Sequence, residues 1–455
     1  MQGSLTEGSI TKNMLMFALP LMAGNLLQQL YNVADTLIVG RLIGADALAA
    51  VGSSYTLMVF LTSIILGLCM GSSAYFSILY GRKDADRLKC SFFLSFVLIG
   101  SVTALLNVLV FWQIDGIIAL LRIPPEITDM MKDYLLVIFA GIFATFLYNY
   151  FANLLRSVGN SVIPLIFLAV SAVLNIVLDI LFIYYFHWGV RGAAVATVIA
   201  QYLSGIGILF YYYAGFPSLR VQKSHLKWDG SILKSIAGMS FLTCVQQSVM
   251  NLGILMVQGL VNSFGVVVMA AFAAAVKIDS FAYMPVQDFG NAFSTFIAQN
   301  FGAGKPERIK KGLKSAVLVS AAFCMAVSLT VFVFAAPLMR IFIDASRTDI
   351  IAEGVKYLRI EGSFYLGIGL LFLFYGYFRA IGKPEISIVL TVVSLGSRVA
   401  LAYLLSAIPG VATTGIWVSV PIGWALADIA GYLFYKTPFR KSISNAKSLK
   451  HHGVG

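Results

Sequence analysis

Asp35, Asn175, Asp179 and Thr197 stand inside long apolar runs, where charged and amide side chains are rare and costly. Asn175 and Asp179 are four residues apart, a spacing that puts both on one face of a helix. Withdrawal from water penalises a charged carboxylate, so a buried aspartate can load and release a proton. The neighbouring amide and hydroxyl supply neutral oxygens that also suit sodium. Reversible binding of a monovalent cation is the chemistry these residue types offer. The competing reading is that Asp35 and Asp179 only cap broken helices or pair with hydroxyls. Gln28 and Tyr31 lie seven and four residues before Asp35, on roughly its face. Asn149 and Asn153 form another pair four apart. With Asp288, these are candidates to line a substrate cavity, although hydrogen bonding between helices explains the asparagines equally well. Pro20 removes a backbone hydrogen bond near mid-run and marks a bending point.

The elements that must carry these residues follow from composition. Of 455 residues, 59% are hydrophobic and 11% are charged, with a mean hydropathy of +0.87. A soluble domain carries about 25% charged residues, so soluble, disordered and fibrous classes are all excluded. Twelve apolar runs approach or exceed the ~20 residues that span a bilayer. They lie at 13–37, 47–79, 91–114, 131–155, 161–186, 190–214, 234–260, 266–300, 313–342, 354–380, 385–408 and 411–436. The expected fold is an all-α integral membrane protein of twelve helices. Residues 1–214 form one six-helix lobe and 234–436 the other. A linker at 215–233 joins them, and 437–455 form a tail.

Charge sets the expected orientation. Of the 32 Lys and Arg, 22 fall in the tail and in turns on one side, eight fall on the other, and Lys277 and Arg398 lie inside runs. This bias puts both termini in the cytoplasm, and the expected location is a bacterial cell membrane. The net charge of +12 is thereby explained without a nucleic-acid partner. Cys69, Cys90, Cys244 and Cys324 are scattered, with no disulfide or zinc spacing. The start, MQGSLTEGSITKN, lacks a signal peptide's basic region and cleavable apolar core. With this topology, Asp35 lies about 22 residues into an outward helix, Asp179 about 18 into another, and Thr197 about seven into an inward one. All three share one depth.

The halves repeat. An ungapped shift of 223 residues lays Leu155–Gly159 over Phe378–Gly382, Gly192 over Gly415, Tyr212 over Tyr435 and Gly81 over Gly304. Six spans per half make the copies parallel, related by an axis along the membrane normal. Lobes so related suit alternating access.

Pro20, Ala34-Asp35, Leu48–Gly52, Leu155–Asn160, Asn175–Asp179, Gly192–Thr197 and Gln299–Gly304 together resemble the multidrug and toxic compound extrusion (MATE) transporters. The resemblance covers essentially the whole chain. It implies two six-helix lobes, cation-coupled export of amphipathic and often cationic compounds, and a cation site at Asp35, Asn175, Asp179 and Thr197. The chain looks closer to the DNA-damage-inducible and archaeal-type branch, since its seventh run has no Asp or Glu. That departure favours protons over sodium and puts a carboxylate sodium site in the second half in doubt.

Other classes fare worse. A flippase for lipid-linked oligosaccharides needs cations for pyrophosphate, and only Lys277 and Arg398 qualify. No P-loop, metal-spaced cluster or nucleophile with an evident base supports an ATP-driven pump or an enzyme. Neither a cofactor nor a resident metal is implied. The expected partners are small-molecule drugs or metabolites and membrane lipids, with the chain acting as a monomer. The 223 shift carries Asn175 onto Arg398, Asp179 onto Ala402 and Thr197 onto Val420. In coupled-efflux assays Asp179→Asn is therefore expected to impair export, and Ala402→Asn to be nearly silent unless packing suffers.

Overall fold

In hydrocarbon each backbone N–H and C=O must be paired within its own segment, so a chain of this composition is confined to helices. A computed structural model describes residues 4–120 and 125–436; Arg122 and the tail 437–455 lie outside them. The helices are α1 (Ile10–Leu42), α2 (Ala45–Arg82), α3 (Ala85–Leu120), α4 (Pro125–Ala140), α5 (Ile142–Ser157), α6 (Val162–Ile180) and α7 (Gly189–Gly215), then α8 (Gly230–Asn262), α9 (Val266–Gly302), α10 (Pro306–Met339), α11 (Thr348–Gly362), α12 (Tyr365–Ala380), α13 (Pro384–Ser406) and α14 (Thr413–Lys436). Ten are long and apolar enough to cross a membrane. The pairs α4/α5 and α11/α12 bend by 46° and 51° and supply two more spans, matching the twelve apolar runs.

The duplication is visible in the helix bounds, with one correction. Bounds of α5 and α12 differ by 223 residues at both ends, but those of α1 and α8 differ by 220. The repeat therefore contains a gap, placed by the longer connection between α10 and α11. Lys83 and Gly304, with φ of 61° and 64°, close α2 and α9 in the left-handed conformation. Gly81 lies within α2 and is not the counterpart of Gly304. The Arg-x-x-Gly turns do correspond. Gly159 and Gly382 take φ of 89° and 76°. Beside them Asn160 N–H donates to Leu155 O and Lys383 N–H to Phe378 O, both at 2.9 Å. These bonds satisfy carbonyls that the ends of α5 and α12 would leave orphaned.

The chain packs as two units, whose borders fall inside helices. One holds Leu19–Cys244, the other Leu5–Ala18 and the chain from Val245. The first is filled by rings from α2, α3, α5 and α7, with Phe76 edge-on to Phe92 at 4.8 Å and Phe96 edge-on to Tyr150 at 5.2 Å. The Tyr212 hydroxyl donates to Leu219 O at 2.6 Å and ties the linker to α7. The start of α8 lies against α2, where the Ser72 and Ser240 hydroxyls meet at 2.8 Å. The second unit stacks Phe272 on Trp417 at 5.5 Å, with Tyr357 edge-on to Trp417 at 5.0 Å. In this unit the chain before α1 is clamped to α9 and α10. Arg308 donates to the carbonyls of Leu5, Glu7 and Gly8, Lys305 donates to that of Thr6, and Leu5 N–H donates to Gln299 Oε1. None of the four cysteines forms a disulfide; Cys69, Cys90 and Cys324 are buried and Cys244 partly so.

A Cβ at Gly71 would stand 2.5 Å from Met239 O and 2.5 Å from Ser240 Cα, so α2 and α8 can meet only across a glycine. Gly71→Ala is expected to lower stability by about 1–3 kcal/mol through overpacking. A thermal midpoint in detergent equal to wild type would contradict that contact.

Candidate functional site

Four helices of the first unit converge on one polar cluster. α1 contributes Tyr31 and Asp35, α4 Tyr134, α6 Asn175 and Asp179, and α7 Thr197. Immediately after Asp179 the backbone leaves α geometry for a π-helical turn, Leu181–Tyr185. Phe182 in that turn stacks on Trp188 at 4.9 Å, which fixes the entry into α7. Gly192 allows this approach, because a Cβ there would lie 3.2 Å from that of Phe182. Wide turns of this kind are frequent at functional positions.

Asp179 is fully enclosed, and Asn175, Thr197 and Asp35 are buried. The Asn175 amide is satisfied when its nitrogen donates to Asp179 Oδ2 at 3.0 Å. Its oxygen then accepts from the Thr197 hydroxyl and backbone N–H, each at 3.2 Å. The Asp35 and Asp179 carboxyls face each other at hydrogen-bonding approach, and Tyr31 reaches Thr197. Tyr134 lies within electrostatic reach of both carboxyls. Asp35 Oδ1 and Asp179 Oδ1 complete no hydrogen bond, and among the described residues neither carboxyl is ion-paired. Two facing carboxylates without a cation repel each other, so the pair needs a proton or another cation between them. The donor set also fits a small hard cation, with carboxylate, amide and hydroxyl oxygens converging.

The sequence expectation of Asp35, Asn175, Asp179 and Thr197 at one level corresponds to residues that the fold brings together. Tyr31 joins them rather than standing apart as a lining residue. Gln28 is exposed on α1. Asn149 and Asn153 donate to the carbonyls of Thr145 and Asn149 at 2.9 Å, so their amides serve their own helix. Asp288 is buried on α9, three residues after Pro285. Pro20 lies inside α1, next to the Ala18/Leu19 border between the units.

The second unit holds a cluster that the sequence reading missed. Asp279 on α9 and Glu361 on α11 are buried and face each other; Tyr357 approaches Glu361, and Tyr365 on α12 faces Asp279. Arg398 on α13 acts electrostatically on both carboxyls, which identifies the partners that sequence could not name. The signal was present as Tyr357, Glu361 and Tyr365 at four-residue spacing inside the run 354–380, but Glu361 was not singled out among the in-run charges. Lys277 is exposed, on the opposite side of α9 from Asp279. Asp428 is half-buried beside Gly367 and Trp424. Ala402 is fully enclosed, so Ala402→Asn would bury an amide in a packed site and is not expected to be silent.

The MatE family profile matches residues 20–181 and 239–404. The chain is 31% identical over 439 residues to the probable multidrug resistance protein YpnP of Bacillus subtilis, covering 95% of this chain and 96% of that one. It is 28% identical over 447 residues to the probable multidrug resistance protein YoeA of the same organism, covering 96% of each. Among solved structures, a MOP superfamily transporter from Pyrococcus furiosus superposes with a TM-score of 0.90 over 98% of both chains at 23% identity, a likeness of fold.

Thr197→Val removes a hydroxyl on which the Asn175 amide and Tyr31 converge while keeping the side-chain volume. A loss of about 1–2 kcal/mol is expected, with Thr197→Ser close to wild type. Equal thermal midpoints for Thr197→Val and wild type would contradict the hydrogen-bonded cluster.

Proposed function

The chain belongs to the MatE family, and on that footing we propose that it is a multidrug antiporter exporting amphipathic, often cationic, compounds in exchange for protons. The observation that carries this reading is the buried Asp35–Asp179 pair with no basic partner among the described residues. Such a pair is relieved of its mutual repulsion only when it holds a cation, and a proton is the smallest that fits between two facing carboxyls. Asn175 and Thr197 hold Asp179 in place and offer neutral oxygens, which keeps sodium as the competing ion. The seventh span, α8, carries no Asp or Glu. This absence favours protons.

Coupling requires that loading the pair and loading the substrate favour different conformations, since a ligand shifts only equilibria whose states it distinguishes. Pro20 interrupts the hydrogen-bond ladder of α1, the helix that also carries Asp35. On this reading protonation of the pair acts on a helix whose ladder is interrupted at Pro20. A flippase for pyrophosphate-linked lipids is less well supported, because Lys277 is exposed and Arg398 is engaged by two carboxyls.

The test is efflux of ethidium or norfloxacin from reconstituted vesicles with proton and sodium gradients imposed separately. Export driven by the proton gradient alone is expected, and export driven by sodium without a pH gradient would overturn proton coupling. Asp35→Asn and Asp179→Asn should insert and still bind drug, yet drop to the leak rate of protein-free vesicles. Gradient-driven export by either variant at the wild-type rate would remove that residue from the coupling role.

A further inference from the structure

Each unit buries a pair of facing carboxyls, and the two pairs differ in what stands beside them. The first unit sets Asp35 against Asp179 with Asn175 alongside. The second sets Asp279 against Glu361, and the residue matching Asn175 under the 223-residue shift is Arg398. The shift holds on both sides of this position: α5 and α12 match end for end, and Gly192 against Phe182 corresponds to Gly415 against Leu405. Asp279, Glu361, Tyr357 and Tyr365 are 6%, 2%, 1% and 2% exposed, so water contributes little to balancing their charge. The other titratable group facing the cluster is Tyr283 on α9.

Charge arithmetic separates the two sites. With both carboxyls ionised the first site carries two negative charges and no fixed positive one. The second carries two negative charges and one guanidinium, which stays protonated in proteins. A single proton shared by Asp279 and Glu361 makes the second cluster neutral. Arg398 forms no ion pair at contact distance with either acid among the described residues. Its charge still reaches both, because interactions in low dielectric fall off slowly. Asp279 Oδ1, Glu361 Oε2, the Tyr365 hydroxyl and Arg398 Nε complete no hydrogen bond. Three unsatisfied oxygens therefore converge in a site whose attraction for an added cation is opposed by the guanidinium.

We propose that Arg398 is a tethered counter-cation that excludes mobile cations from the Asp279–Glu361 pair, so that one residue position, Asn175 in the first lobe and Arg398 in the second, decides which lobe exchanges ions. This rests on the reading that the first lobe exchanges a cation. It goes beyond that reading by assigning the silence of the second lobe to a single side chain. Exchanging the guanidinium for an amide leaves the second pair, on α9 and α11, as free of a fixed cation as the first pair on α1 and α6.

The experiment is binding of radioactive sodium to purified full-length protein in detergent, at a pH where carboxylates ionise, comparing wild type with Arg398→Asn and Arg398→Lys. Arg398→Asn should gain one sodium per protein over wild type, Arg398→Lys none. The gained sodium should persist when Asp35→Asn is added and vanish when Glu361→Gln is added. A monodisperse Arg398→Asn variant that binds no more sodium than wild type would overturn the proposal, as would a gained sodium indifferent to Glu361→Gln. If Arg398→Asn does not fold, Glu361→Gln alone decides. That change leaves Asp279 balanced by Arg398, so drug efflux within about twofold of wild type supports the proposal, and loss of gradient-driven efflux refutes it. These readouts stand apart from the coupling role of the first lobe, which Asp35→Asn tests separately.

Discussion

A carboxylate inside a bilayer must be neutralised, by a proton, a bound ion or a fixed cation, because leaving it bare is costlier than any single packing contact. The arrangement of this chain follows from meeting that demand in two places. In the first unit four helices bring Asp35 and Asp179 together with an amide, a hydroxyl and two phenols, and no basic side chain pairs with them among the described residues. On the proposed function the missing charge comes from outside. In the second unit Asp279 and Glu361 meet with Arg398 in reach. There the charge is built in.

Backbone continuity is the second demand, and its departures fall where the clusters need them. The bend between α4 and α5 and that between α11 and α12 occupy equivalent places in the repeat. α4 brings Tyr134 to the first pair, while α11 and α12 bring Tyr357, Glu361 and Tyr365 to the second. The π turn after Asp179 is a further local break at the first site, and the proline within α1 lies about 22 Å along the helix from Asp35. Each is tolerated because neighbouring helices or wider backbone bonds re-satisfy the freed polar groups. Glycines let the helices approach closely enough to do so, as at Gly71 and Gly192.

Hydropathy alone located the spans, since a segment that must be apolar for about 20 residues leaves a strong mark on sequence. The Asp35, Asn175, Asp179 and Thr197 group was legible for a related reason: polar residues stand out against such a background, and helix rise converts their positions into depth. Other features were not legible. Asn149 and Asn153 share a face, but a side chain bonding its own helix looks the same in sequence as one lining a cavity. Glu361 lies near the start of the run 354–380, next to Arg359, where a charge reads as a span end rather than as an intramembrane site. The gap in the repeat was invisible because Gly81 and Gly304 coincide by chance under an ungapped shift. Arg398 was conspicuous by charge, yet its partners lie on α9 and α11, and long-range pairing leaves no local signature.

Membership of the MatE family fixes the chain as a transporter, and the account of how it is driven turns on one proton held by Asp35 and Asp179. Proton release on drug binding measures this most directly. Purified protein in weakly buffered detergent solution is mixed with ethidium, and the pH change is converted to protons per protein. One proton should leave the wild type, and none should leave the variant carrying both Asp35→Asn and Asp179→Asn while it still binds ethidium. Equal release from the two proteins would contradict the account.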